Sequence, residues 1–102
     1  MRLKLLSETA SEFYATPDLR LRCKPEDAET TRARHVCQWV ACEAFTPRYS
    51  KSAVARFWGM DPTAVFYGCK MVRKRIDTIP AEKRALKEFM KLVAERIKQS
   101  LK

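Results

Sequence analysis

The sequence predicts an all-α fold, a compact helical bundle that contains a helix-turn-helix and ends in an amphipathic C-terminal helix. Three observations point there. Only two glycines occur in 102 residues, and Ala, Leu, Lys, Arg and Glu, which lose little on entering a helix, are abundant. Apolar residues recur at intervals of three and four, with no alternating pattern that would mark a strand. Prolines and capping residues cut the chain into pieces of helical length. A chain of this size makes one domain, spanning residues 1–102, with a modest core.

The first helix is expected over residues 3–15, with Leu3, Leu5 and Leu6 at its start and Phe13 and Tyr14 packing onto the core; Pro17 ends it. Residues 18–24 (DLRLRCK) read as a basic loop or one more helical turn. The acidic run PEDAETT at 25–31 reads as a loop ending in a Thr N-cap. A central helix follows over about residues 32–45, with Val36, Val40 and Ala44 on one face and Trp39 beside it. After TPRY at 46–49, Ser50 is placed to cap a short helix whose apolar face is Ala53, Val54 and Phe57. Gly59 supplies the positive φ that a tight connection between helices needs. Asp61 as N-cap and Pro62 in the first turn open the next helix, where Val65, Cys69, Val72 and Ile76 form one face. Residues 50–76 are therefore a helix-turn-helix candidate. The chain breaks again at DTIP, residues 77–80. Ala85, Leu86, Phe89, Val93 and Ile97 then line one face of the last helix, which is expected to close the core or to mediate a dimer.

The formal net charge is +9, and it is unevenly spread. Residues 32–79 carry nine cations against three anions, and residues 80–102 seven against three, whereas 25–31 carry three anions alone. A small basic domain of this kind commonly meets nucleic acid through phosphate contacts that release counterions, although such charges also simply solvate helical faces. No apolar run approaches the roughly 18 to 20 residues a membrane span needs, and the N-terminal apolar segment is too short for a signal peptide. The expected location is cytoplasmic, with no membrane partner.

Catalytic and metal chemistry find little support. Cys23, Cys37, Cys42 and Cys69, with the single His35, contain no C-x-x-C pair. On a uniform α-helix Cys37 and Cys42 point about 140° apart. Reduced thiols are expected and no metal or other cofactor. Cys37 and His35 lie two residues apart and face different ways on a helix, and paired carboxylates, Gly-rich phosphate loops and Ser-His-Asp sets are absent. The chain does not read as an enzyme, and no nucleotide site is expected.

Phe13 and Tyr14, RHVCQWVACEA at 34–44 and FWGMDPTAV at 57–65 stand in an order and at a spacing that resemble three segments of the C-terminal DNA-binding domain, domain IV, of the bacterial chromosomal replication initiator DnaA. Residues 57–65 (FWGMDPTAV), followed by Cys69, Lys70 and Val72, are similar to the family's GGRDHTTV signature and the basic, Cys-containing stretch after it. RHVCQWVACEA at 34–44 is similar to its RQxAMxLxxEL helix, and Phe13 and Tyr14 match an aromatic pair in its first helix. The similarity covers about residues 8–77 and implies the Trp-repressor/DnaA domain IV type of bundle, with double-stranded DNA as partner and a nucleoid-associated location.

The resemblance also assigns roles. Its base readers fall on Asp61, Pro62, Thr63 and Ala64, with Pro62 and Ala64 replacing the family's His and second Thr. Asp61 retains the ability to accept from cytosine N4, and Thr63 or the Pro62 ring to touch a thymine methyl, so the preferred sequence is expected to differ. Asp61 and Pro62 equally serve as a plain helix cap. The family's minor-groove Arg corresponds to about Glu26, so that contact is not expected; Arg20, Arg22 and Lys24 are the cations flanking it. Phosphate-contact candidates are Arg34, which matches a family phosphate ligand, Arg32 beside it at the helix start, and Arg48, Ser50, Lys51 and Ser52, where such a pair crosses the DNA backbone. Tyr67 and Lys70, on the outward face of the second helix, complete the set. Without an ATPase module the implied role is regulatory or accessory in replication or transcription. The alternative is a protein-interaction module of the same fold that has lost sequence reading and docks a partner through its C-terminal helix.

Overall fold

The computed structural model describes residues 3–15, 28–44 and 48–100. Pro17, the basic segment 18–24 with Cys23, Glu26, and residues 45–47 of the connection after the central helix lie outside the described residues. Within them the chain is an all-α bundle of five helices: α1 (Leu3–Phe13), α2 (Ala28–Trp39) running on into a π turn (Val40–Ala44), α3 (Lys51–Trp58), α4 (Pro62–Thr78) and α5 (Pro80–Ser100).

The helix α2 is the hub, with its largest interface against α4. Ala33, Val36, Cys37, Gln38, Val40, Ala41 and Cys42 are all buried, so the segment meets neighbours on several sides. Leu6 and Ala10, one turn apart on α1, pack into this core. Phe13 and Tyr14 place their rings 5.5 and 5.7 Å from that of Phe89 on α5. Arg96 and Glu12 add an exposed ion pair between the same two helices. Leu86, Phe89 and Val93 of α5 are buried, so its apolar stripe closes the core of this chain.

Three expectations are corrected. The central helix begins at Ala28 rather than Arg32, and the Thr cap gives way to a first turn carrying Glu29. An acidic side chain there complements the helix dipole, and Thr30 is buried inside the helix. Its C-terminal part is a π turn, not a continuation of α-helix. The wider turn changes the angular register assumed for Cys37 and Cys42, and both are buried, with Cys42 beside the buried Cys69 of α4. The Tyr49 N–H, where the chain returns, donates to the Ala41 carbonyl inside that turn at 3.0 Å. On α3 the buried residues are Val54, Ala55 and Trp58, so the face is rotated from the predicted Ala53, Val54 and Phe57, which keeps only Val54 fully inside.

Candidate nucleic-acid interface

The connection between α3 and α4 is built by local chemistry that the residues dictate. Ser50 caps α3, its Oγ accepting from the Ala53 N–H at 3.1 Å. At the other end Gly59 sits in the left-handed region at φ 63°. The Gly59 N–H donates to the Arg56 carbonyl at 3.3 Å and the Met60 N–H to the Ala55 carbonyl at 2.9 Å, the paired bonds of a Schellman motif. Asp61 caps α4 at once, its Oδ1 accepting from the Thr63 N–H at 2.8 Å, with Pro62 in the first turn. Those hydrogen bonds from Thr63 hold the Asp61 carboxyl below its ordinary pKa, so it is a carboxylate at neutral pH. The Gln38 amide on α2 donates to Met60 Sδ at 3.0 Å and ties the turn to the hub.

Gly68 determines how closely α4 approaches α2. A Cβ there would lie 2.7 Å from His35 Cδ2 and 3.3 Å from Gln38 Oε1, closer than side chains pack. Burial first, then the nearby charges of Arg75 and Arg34, push the His35 pKa down to about 4, so the imidazole is neutral. This ring also meets Tyr67 edge to face at 6.3 Å between centroids.

With Val65, Gly68, Cys69 and Val72 buried, the opposite face of α4 is left to solvent. Thr63, Phe66, Tyr67, Lys70, Arg73, Lys74 and Asp77 are all exposed there. Between Thr63 and Lys74 its charges are all positive. Lys51, at the start of α3, reaches across: its Nζ lies 3.3 Å from Glu43 and 4.8 Å from the centroid of the Phe66 ring. That contact joins the start of α3 to the outer face of α4.

Of the base-reading candidates, Asp61, Pro62 and Thr63 are exposed at the N-terminus of α4 and Ala64 is half-buried. Arg48, Ser50 and Ser52 are exposed at the start of α3, beside Lys51, and Tyr67 and Lys70 lie on the outward face of α4. Arg32 is elsewhere. It pairs with Glu82 at 3.5 Å and lines a cleft of about 350 Å3 with Tyr14 and Ile79, beyond the C-terminal end of α4, roughly 25 Å along the helix from its capped start. Arg34 is half-buried on α2 next to His35. Phe66, Arg73 and Lys74 share this face and are not among the residues expected from sequence. The signal was available: they repeat with Lys70 at helical spacing opposite the apolar stripe.

No protein-family model matches this chain, and no curated protein matches it significantly. Among the described residues no helix is long and apolar enough to cross a membrane.

Proposed function

We propose that this chain is a double-stranded DNA-binding protein of the DnaA domain IV type, with α3 and α4 as its helix-turn-helix and α4 laid along the major groove. The observation that carries this reading is the solvent face of α4, where Thr63, Phe66, Tyr67, Lys70, Arg73 and Lys74 form a continuous cationic and aromatic stripe behind a capped N-terminus. Phosphates favour the cations, and the N-terminal residues of the second helix are those that reach base edges in such motifs. Arg48, Ser50 and Ser52 supply the backbone contacts beside α3. Arg32, paired with Glu82 beyond the C-terminal end of α4, is not included in the proposed interface. The role is regulatory or accessory, in replication or transcription.

Fluorescence-anisotropy titration with duplexes at two salt concentrations tests this. Binding should weaken steeply as salt rises, each neutralised phosphate contributing a slope of about −0.9 in log K against log salt. Failure to bind any duplex at low salt, random sequence included, refutes it. The exposed aromatic pair on α4 favours one competing reading, a protein-docking module of the same fold. The version of that reading based on α5 is weakened, since the apolar stripe of α5 is buried within the bundle.

A further inference from the structure

Phe66 and Tyr67 are 58% and 59% exposed on a helix whose other face is packed. Two adjacent aromatic rings left in water forgo the burial free energy such side chains usually supply, and exposed apolar groups of this kind mark contact surfaces. Their surroundings are cationic. Lys51 covers one side of the Phe66 ring, and Lys70, Arg73 and Lys74 stand on the same face. An apolar protein partner would have to desolvate those charges, whereas a polyanion that also presents apolar points satisfies both features. The major groove of duplex DNA does so, with phosphates along its rims and thymine C5-methyl groups on its floor.

Helical geometry sets the register. At about 100° and 1.5 Å per residue, Phe66 and Tyr67 straddle the line from Thr63 to Lys70, and Phe66 lies about 4.5 Å along the axis from Thr63. That advance is comparable to the roughly 3.4 Å between successive base pairs. Neither ring is loose: Lys51 is anchored to Glu43 while it lies over Phe66, and Tyr67 rests edge-on against His35.

We infer that Phe66 and Tyr67 are specificity-determining residues that read thymine methyl groups in the base steps next to the one faced by Thr63. This rests on the DNA-binding reading above. The contact is apolar, so it selects thymine over cytosine and over uracil without a hydrogen bond.

The test uses the full chain and a duplex it selects from a random pool. Each thymine is replaced singly by deoxyuridine, which removes the methyl and keeps every hydrogen-bonding group. Affinity should drop about fourfold at one or two positions, the value of one buried methyl. In Phe66→Ala or Tyr67→Ala, thymine and deoxyuridine should bind alike at the position that residue contacts. Lys70→Ala should weaken both and preserve their ratio. Equal binding of the two bases at every position in the wild-type chain overturns the inference, as does a ratio that persists in both aromatic variants. Both substituted positions are exposed, and circular dichroism verifies their fold. Duplex binding without methyl dependence removes this inference alone, whereas no duplex binding at low salt removes the DNA reading with it.

Discussion

Gly68→Ala should destabilise this protein, although the same change in an ordinary helix interior stabilises by about 1 kcal/mol. The added methyl would sit 2.7 Å from His35 Cδ2, 3.2 Å from its Cγ and 3.3 Å from Gln38 Oε1. Comfortable carbon contacts begin at about 3.5 Å, so the ring must retreat by close to 1 Å. A Cγ atom cannot do so by rotation of a distant torsion; the side chain or the α2 backbone must shift. Forcing a methyl into such a contact costs about 2 to 3 kcal/mol, which leaves a net loss of about 1 to 2 kcal/mol once the helical gain is subtracted. In a His35→Ala background the two closest contacts are gone and only the Gln38 Oε1 contact remains, at the end of a side chain that can give, so Gly68→Ala should stabilise by up to about 1 kcal/mol. Urea denaturation of the four proteins, followed by far-UV circular dichroism, gives the coupling directly, expected at about 2 to 3 kcal/mol. A Gly68→Ala that stabilises equally in both backgrounds refutes the close approach of α2 and α4.

The folded pKa of His35, about 4, lies below its ordinary 6.5, so between these values the unfolded chain binds a proton that the native state does not. Stability should therefore fall as pH is lowered through that window, with a contribution from this residue of up to about 1.4 kcal/mol per pH unit, and His35→Gln should flatten the dependence in pH-resolved denaturation. Lys70→Ala should weaken duplex binding about equally for all sequences and reduce the salt slope by about one, as measured by anisotropy. Thr63→Val should change which base is preferred at one position by about 1 to 3 kcal/mol, and Asp61→Asn should change the preferred sequence while retaining the cap; selection from a random pool reads both, and an Asp61→Asn variant that only lowers Tm makes Asp61 a cap and nothing more.

The parts of this fold that the sequence announces are those decided within one turn of chain. Ser50, Gly59 and Asp61 fix their helix ends by bonding to backbone two to four residues away, and each occupies the role its chemistry suggests. The stripes of α4 and α5 are equally plain, because burial on one side leaves a periodic trace. Features decided by neighbours distant in sequence are hidden. The π turn shares a hydrogen bond with Tyr49 and a thiol contact with Cys69, neither visible in the VACEA residues themselves. Gly68 reads locally as a weak helix residue, and its purpose emerges only when His35 is placed against it. Arg32 shows the same limit for the site: it belongs to the basic helix start in sequence, yet Glu82, fifty residues on, claims it.

Backbone amide NMR shifts of the full chain, mapped during titration with duplex DNA, show whether the outer face of α4 and the start of α3 form the proposed DNA surface. The largest changes are expected at Ser50, Lys51 and Ser52 and along α4 from Thr63 to Lys74, with little change around Tyr14, Arg32 and Glu82. Changes concentrated on α5 or around the Arg32 cleft, with α4 silent, would contradict this assignment.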